Sequence, residues 1–199
     1  HEMGCAGIHR LVFSSSATVY GDRSIPPYTE NHPLNPVNTY GHTKLAVEKL
    51  LNDLSLDKSP WRIGILRYFN PVGAHESGLL GDNPVGPPNN LFPHITQSLI
   101  GDAKSINVFG GDYKTPDGTG IRDYIHVLDL IDAHILVLDY LMGDSEDHLT
   151  LNLGTGKGNS VLQVIEMFKK VTGKDVPYTI MERRPGDIDA SWASADLAF

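Results

Sequence analysis

A strand–helix–strand pattern in the first third of the chain constrains the fold most strongly. Residues 10–15 form a short apolar, β-branched run that ends in small hydroxyl residues, which is typical of a buried parallel strand entering a loop. Asn38 or Thr39 can then cap a helix that is predicted to run to about Leu56. Residues 61–68 again have the composition of a buried strand. Two strands joined by a helix predict a parallel pair.

The rest of the chain continues this alternation after a loop-rich stretch. Residues 70–90 are rich in Gly, Pro and Asn, which predicts a loop without long regular elements. Helices are predicted over residues 91–100, 129–142 and 160–173, and strands over residues 106–109, 121–127 and 150–153. The helix at 129–142 is apolar nearly all round and is predicted to be buried. The pattern predicts an α/β fold with a mostly parallel sheet.

Size and charge exclude several classes of protein. At 199 residues we expect one domain or one and a fraction. The net charge of −8 and the scattered basic residues argue against a nucleic-acid partner or an anionic membrane surface. Cys5 is the only cysteine, so no internal disulfide is possible and a cytoplasmic location is expected. No apolar stretch has the length of a membrane span, and no targeting segment is recognisable.

The histidines do not predict a metal site. They show no spacing with carboxylates that would demand a metal ion, and we expect satisfied or surface side chains at His75, His94, His126 and His134. No metal is therefore predicted.

A tyrosine and a lysine four residues apart are the first candidates for chemistry. Tyr40 and Lys44 lie at the start of the predicted helix and share one of its faces. A free phenol, with a pKa of about 10, is a poor base at neutral pH, and a nearby ammonium or a helix N-terminus stabilises the phenolate. The spacing alone is common and weak evidence. It gains weight because the hydroxyl-rich segment 14–18 lies at the carboxyl end of a predicted strand, where open α/β sheets place their ligands.

Several segments together resemble a known superfamily. Phe-Ser-Ser-Ser-Ala-Thr-Val-Tyr-Gly-Asp at 13–22, Tyr-Gly-His-Thr-Lys at 40–44 and Leu-Arg-Tyr-Phe-Asn-Pro-Val-Gly at 66–73 resemble the extended short-chain dehydrogenases/reductases. Within it the chain is most similar to the UDP-galactose 4-epimerase family, through segments 89–93, 107–113, 117–127, 152–156 and 184–187. These stand in family order and cover nearly the whole chain. Tyr-x-x-x-Lys marks only the superfamily, whereas segments 89–93 and 117–127 are far more specific.

The resemblance implies a reaction and a catalytic set. Tyr40 would take the proton from the 4-hydroxyl of the sugar as hydride leaves carbon 4 for NAD. Lys44 would favour the phenolate and hold the nicotinamide ribose, and Ser16 would bond the same sugar oxygen. The 4-keto sugar would turn over and take the hydride back on its other face, so that UDP-galactose and UDP-glucose interconvert. The implied cofactor contacts are Ser14, Ser16, Tyr40, Lys44, Tyr68 and Phe69.

The resemblance also implies the substrate contacts. Besides Ser16 and Tyr40 they are Asn70, Asn89, Asn90, Leu91, Asn107, Val108, Phe109, Arg122, Arg184, Asp187 and Ser191. Residues 107–109 would form the uridine pocket, Arg122 and Arg184 would bind the diphosphate, and Asp187 would bond the uridine ribose. An arginine offers the planar fork of donors that suits a diphosphate. Without the resemblance, Arg122 reads equally well as a surface ion pair with Asp117 or Asp123, and the two adjacent asparagines as turn residues.

The residue at position 191 bears on substrate choice. Family members carry either a tyrosine or a small residue there, and this chain carries Ser191. A small residue leaves room at the sugar, so the resemblance implies that UDP-N-acetylhexosamines fit as well.

The expected domain organisation follows from the same resemblance. Residues 1–70 would be the carboxyl-terminal remainder of a Rossmann-like NAD-binding domain, and residues 71–199 mainly a smaller UDP-sugar-binding region, with residues 122–142 packing back on the first part. The Gly-rich loop of the family is missing, since Gly154-Thr-Gly-Lys-Gly-Asn159 lacks the third glycine of a dinucleotide loop and reads as a turn. We expect part of a longer protein, inactive by itself and homodimeric when complete. The dimer would form partly through the Tyr40 helix, whose apolar positions could equally serve the monomer core.

Two alternatives remain open from the sequence. A nucleotide-sugar dehydratase or decarboxylase would share the Tyr-x-x-x-Lys pair. Dehydratases carry acidic residues just after the serine or threonine, where this chain has Ala17 and Thr18, so elimination lacks its acid. A non-catalytic nucleotide-sugar-binding fragment, completed by a second polypeptide, is the other.

Overall fold

The computed structural model describes residues 1–22, 25–56, 60–101, 103–143 and 148–198. The helices are α1 Glu2–Cys5, α2 Thr39–Leu54, α3 Leu91–Ile100, α4 Val127–Met142 and α5 Val161–Thr172. The strands are β1 Arg10–Ser14, β2 Arg62–Tyr68, β3 Asn70–Val72, β4 Ile106–Phe109, β5 Ile121–His126, β6 Leu149–Leu153, β7 Gly158–Ser160, β8 Tyr178–Met181 and β9 Ala190–Ser191. A short 3₁₀ turn, Ala17–Val19, follows β1.

Strands β1, β2 and β6 form a parallel sheet with β2 in the centre. Ser14 pairs with Leu66 and Leu66 pairs with Leu151, so the three carboxyl ends meet at one edge. Ligands of open α/β sheets bind at such an edge.

The side chains of β2 alternate between the two faces of this sheet. Ile63 and Ile65 are fully buried in a cluster with Leu51 of α2. Leu66 packs on the other side with Leu130 and Leu141 of α4. The period of two thus explains how one apolar strand holds a helix on each face.

A second region surrounds β5. This strand pairs with β3 and β9 in parallel and with β7 in the antiparallel sense. Strands β4 and β8 form a separate parallel pair. Helices α3 and α5 pack with β4 through Ile95, Val108 and Ile165. Ser160 and Gln163 form a capping box at the start of α5, and Gly173 ends the helix at a φ of 69°.

Most of the predicted elements are confirmed, and the exceptions have physical causes. The structure adds α1, β3, β7, β8 and β9, which are too short to show a periodic pattern. The prediction that the helix at 129–142 is buried is wrong. Only one stripe of α4 packs on the sheet, and the side chains of Ile135 and Leu136 are 53% and 67% exposed. In the described ranges, no helix combines the length and the apolar character needed to cross a membrane.

Candidate active site

A cleft of about 1160 Å³ opens at the carboxyl ends of β1 and β2, facing the second region. Every site residue predicted from the sequence lines it except Ser14 and Lys44. Those lining residues are Ser16, Tyr40, Tyr68, Phe69, Asn70, Asn89, Asn90, Leu91, Asn107, Val108, Phe109, Arg122, Arg184, Asp187 and Ser191. The fold therefore gathers into one cleft residues that are spread over most of the sequence.

Helix α2 presents Tyr40 to the cleft from its first turn. Asn38 caps the helix, its side-chain oxygen accepting a hydrogen bond from the Gly41 amide at 2.8 Å. A Cβ atom on Gly41 would lie 2.7 Å from the Thr18 carbonyl oxygen, so a glycine lets the helix approach the 3₁₀ turn closely. The Tyr40 side chain is 50% exposed.

Lys44 lies one helical turn behind Tyr40 and outside the lining of the cleft. Its Nζ donates a hydrogen bond to the Ser14 carbonyl at 2.8 Å. The same atom is 5.5 Å from the centre of the Tyr40 ring and 5.2 Å from that of Phe13. The ammonium is thus fixed between the strand end and the phenol.

The three serines after β1 have three different partners. Ser14 Oγ lies 2.8 Å from His134 Nε2, and His134 Nδ1 lies 2.7 Å from the Leu130 carbonyl, to which it donates. Ser15 Oγ donates to Glu48. Ser16 Oγ accepts from the amide and the hydroxyl of Thr18, at 3.2 and 3.0 Å. Ser16 therefore keeps its own proton for a group in the cleft.

A buried polar network lies behind these serines. Arg67 Nη2 is 2.7 Å from Glu48 Oε2, and the two side chains are 6% and 1% exposed. Arg67 Nη1 donates to the Tyr20 hydroxyl at 3.1 Å, which donates to Asn152 Oδ1 at 2.6 Å. Burial on its own would lower the pKa of Arg67, but hydrogen bonds and charges from Glu48 and Tyr20 raise it above its usual value. Burial likewise raises the pKa of Tyr20.

Aromatic side chains adjoin Tyr40 in the cleft. Phe69 is buried with its ring 6.4 Å from that of Tyr28. Burial, and then the proximity of Tyr40, raises the pKa of the Tyr68 hydroxyl. Tyr113 and Tyr124 also line the cleft and were not predicted as site residues. Burial raises the pKa of Tyr124 to about 12. Their positions within the segments 107–113 and 117–127 were the only signal for them.

The arginines of the cleft lack carboxylate partners in the described part of the chain. Arg122 Nη1 donates to the Ile121 carbonyl at 2.8 Å, and the Arg184 guanidinium stacks on the Phe109 ring at 4.1 Å. Asp123 instead accepts hydrogen bonds from backbone amides, including that of Gly156 at 3.1 Å. The ion pair considered for Arg122 with Asp117 or Asp123 is therefore not formed.

The turn after β6 serves the fold. Thr155 donates to Asp123 through its amide at 2.9 Å and its hydroxyl at 2.6 Å, which fixes the turn against β5. The prediction of a turn is thereby confirmed for residues 154–157, whereas Gly158 and Asn159 of the predicted turn belong to β7, where they pair with β5. Within the ranges that the structure describes, no group of three or more His, Cys, Asp and Glu side chains is arranged to hold a metal ion.

The chain is similar to known proteins in both sequence and structure. The model of the NAD dependent epimerase/dehydratase family matches residues 1–154. The UDP-glucose 4-epimerase of Dictyostelium discoideum is 50% identical over 192 residues, which are 96% of this chain and 56% of that protein. The structure also resembles a UDP-glucose 4-epimerase from Stenotrophomonas maltophila with bound NAD and formylated UDP-arabinopyranose, with a TM-score of 0.94, 52% identity, and coverage of 98% of this chain and 58% of that chain.

A second solved structure is nearly as similar. It is the UDP-glucose 4-epimerase from Bifidobacterium longum in complex with NAD+ and UDP, with a TM-score of 0.93, 49% identity, and coverage of 98% of this chain and 58% of that chain. The chain spans about half the length of the curated relatives it matches.

Proposed function

The chain belongs to the NAD dependent epimerase/dehydratase family, and from this premise we propose that it carries the catalytic residues of a UDP-glucose 4-epimerase. The reaction is the reversible interconversion of UDP-galactose and UDP-glucose at sugar carbon 4. The observation that supports it best is that Ser16 and Tyr40 line one cleft, with the Lys44 ammonium fixed behind the phenol. This arrangement can remove a proton from a sugar hydroxyl and return it.

Tyr40 is the proposed base. The Lys44 ammonium stabilises its phenolate, which accepts the proton of the 4-hydroxyl as carbon 4 is oxidised. Ser16 donates its free proton in a hydrogen bond to the same oxygen, since both acceptor directions of its own oxygen are used by Thr18. Tyr40 returns the proton when the keto group is reduced.

The residues around Tyr40 fit a nicotinamide riboside. Phe69 and Tyr68 offer aromatic surface beside the phenol. The Lys44 ammonium, fixed behind the phenol, offers hydrogen-bond donors for ribose hydroxyls. Bound NAD would supply the acceptor and donor of hydride in this reaction. Ser14 is a weaker candidate for a cofactor contact, because its hydroxyl is bonded to His134.

The opposite part of the cleft suits a UDP-sugar. We propose that Arg122 and Arg184 bind the diphosphate, because their guanidinium groups are free of carboxylates in the described residues. Asp187 would accept from the uridine ribose. The uracil would lie against residues 107–109, and the sugar would contact Asn70, Asn89, Asn90 and Leu91.

The proposal extends to the whole protein. Residues 1–70 would belong to the NAD-binding part and residues 71–199 mainly to the UDP-sugar-binding part of a cytoplasmic enzyme of galactose metabolism. A homodimer is supported by three partly exposed apolar side chains on α2, which are Val47, Leu50 and Leu54. Leu51 of the same helix is buried in the core and does not serve a dimer. Because Ser191 is small and lines the cleft, we also expect UDP-N-acetylhexosamines to be substrates.

The test compares two tyrosine variants. Conversion of UDP-galactose to UDP-glucose is measured with NAD in the chain and in its fusion with the amino-terminal part of a full-length relative. We expect Tyr40→Phe to lower kcat by about 10²- to 10⁴-fold, whereas Tyr178→Phe, an exposed position on β8 outside the cleft, keeps full activity. A folded, NAD-loaded fusion that converts nothing would contradict the epimerase proposal and favour a binding function.

A further inference from the structure

The buried ion pair of Glu48 and Arg67 has no part in the mechanism above, yet it lies directly behind the catalytic residues. Glu48 is fully buried and Arg67 nearly so. Arg67 approaches the carboxylate side-on, with Nε at 3.0 Å from Oε1 and 3.2 Å from Oε2, and Nη2 at 2.7 Å from Oε2. Such a pair is costly to bury, and apolar residues of similar volume often serve stability as well. Its position therefore calls for an explanation beyond stability.

Glu48 is one helical turn from Lys44, just as Lys44 is one turn from Tyr40. Side chains four residues apart on a helix are neighbours, with Cβ atoms about 5–6 Å apart. Lys44 and Glu48 also contact adjacent residues of the same strand end, since Lys44 donates to the Ser14 carbonyl and Ser15 donates to Glu48. A Glu48 carboxylate without another cation would pair with Lys44 and cancel its charge.

Arg67 prevents this pairing. It comes from β2, and it is itself held by the Tyr20 hydroxyl and the Glu30 carbonyl at 3.1 and 3.0 Å. Within the described ranges, no carboxylate lies within salt-bridge distance of Lys44. The Lys44 ammonium is thereby left to the Ser14 carbonyl and the Tyr40 ring.

We infer that Arg67 sequesters the Glu48 carboxylate from Lys44 and cancels its charge, so that the Lys44 ammonium acts undiminished on the Tyr40 phenol. Arg67 and Glu48 are positioning residues in this scheme, because neither lines the cleft. The inference rests on the proposed function only in making Tyr40 the base.

The other ionisable groups around the phenol cannot take over the role inferred for Arg67 and Glu48. Tyr68 of β2 faces Tyr40 directly, and its own pKa is raised. His134 of α4 is bonded to the Ser14 hydroxyl, and its ring centre lies 6.4 Å from that of Tyr68, so Tyr68 stands between it and Tyr40. The Glu30 carboxylate, in the loop before α2, accepts from the Asn152 amide at 2.8 Å on the far side of Arg67.

The test is a direct titration of Tyr40 in four proteins that differ in buried charge. They are the wild type, Arg67→Met, Glu48→Gln and the double variant Arg67→Met/Glu48→Gln. The ultraviolet absorbance of phenolate is followed against pH, and the curve of each protein's own Tyr40→Phe counterpart is subtracted. Because no turnover is needed, the result stands whether or not the chain proves to be an epimerase.

The expected midpoints follow the sign of the unpaired charge. Arg67→Met leaves a buried carboxylate for Lys44, so the Tyr40 midpoint rises by about one pH unit or more. Glu48→Gln keeps the shape and leaves an extra cation, so the midpoint falls. The double variant removes both charges and returns to the wild-type midpoint. If the pair had only a structural role, the Tyr40 midpoint would instead move in the same direction in all three variants, or in none of them.

Two results would overturn the inference. One is an unchanged midpoint in folded Arg67→Met, and the other is a shift in the same direction in both single variants. If Arg67→Met fails to fold, Glu48→Gln is compared with the double variant instead, because these two proteins also differ only in the charge of Arg67. The Tyr40 midpoint must then be higher in the double variant than in Glu48→Gln. Circular dichroism of each protein establishes that it is folded.

Discussion

The two walls of the cleft hold their charged groups in opposite ways. The catalytic wall, made by Ser16 and Tyr40 with Lys44 behind, is backed by the Glu48–Arg67 pair, whose side chains are 1% and 6% exposed. The binding wall, made by Phe109, Arg122, Arg184 and Asp187, is flanked by the Arg183–Asp112 pair, whose side chains are 39% and 76% exposed. One wall is anchored in the interior and the other is formed at the surface.

The difference matches the role proposed for each wall. Proton transfer needs its groups within hydrogen-bond distance and alignment, so the serines and α2 are joined by buried bonds that fix their spacing. A diphosphate is a large, doubly charged target, and an arginine fork can reach it from several angles. Arginines with few contacts, of which Arg184 is exposed and Arg122 half-buried, suffice for that task. Substitutions behind the catalytic wall should therefore lower the stability of the fold, whereas substitutions in the binding wall should weaken ligand binding alone.

The largest expected effect concerns the buried network of the catalytic wall. Asn152→Ala removes the acceptor of the Tyr20 hydroxyl and the amide that donates to the Tyr28 carbonyl at 2.8 Å. The buried Tyr20 proton then lacks an acceptor, while the Tyr28 carbonyl keeps its bond from the Ser194 amide at 2.7 Å. We expect the free energy of unfolding to fall by about 1–3 kcal/mol, measured by urea denaturation. Asn159→Ala, at an exposed position on β7, should change it by less than about 0.5 kcal/mol. An equal loss in the free energy of unfolding in both variants would contradict the proposed difference between the two walls.

A smaller effect, on binding alone, is expected in the other wall. Arg184→Gln removes a cation that lines the cleft without altering a buried contact of the core. We expect the Kd for UDP, measured by calorimetric titration at fixed salt, to rise about 10- to 100-fold, with an unchanged unfolding curve. Arg183→Gln is the matched control, because this neighbouring arginine binds Asp112 outside the cleft and its loss should leave the Kd unchanged. Similar weakening by both variants would point to general charge rather than to a diphosphate contact.

The sequence predicted the parts of this fold that carry local signals. The start of α2 and both ends of α5 followed from Asn38, Ser160 and Gly173, whose capping roles depend on neighbours in the chain. The resemblance predicted the family, which the comparisons confirm. The short strands β3 and β9 had no such signal, because their pairing with β5 is decided by the folded chain. The exposed side of α4 was missed because its composition is apolar on nearly every side.

The polar network behind the site was also missed, although two signs of it were present. Arg67 stands inside an otherwise apolar strand, where a charge needs a partner. Glu48 continues the four-residue spacing of Tyr40 and Lys44 along α2. What the sequence could not supply is the pairing itself, since helix and strand meet only through the sheet.

The two walls of the cleft join at Ser191. Ser191 lines the cleft, yet it is buried and its β9 backbone pairs with Arg122 of β5, so its position is fixed like that of the catalytic wall. A tyrosine there would fill the space beside the sugar. We expect Ser191→Tyr to lower kcat/KM for UDP-N-acetylgalactosamine about 10- to 100-fold relative to UDP-galactose, whereas Ser191→Ala, which removes only the hydroxyl, keeps the ratio. An unchanged ratio in Ser191→Tyr would mean that sugar size is selected elsewhere, in the exposed loops of the binding wall.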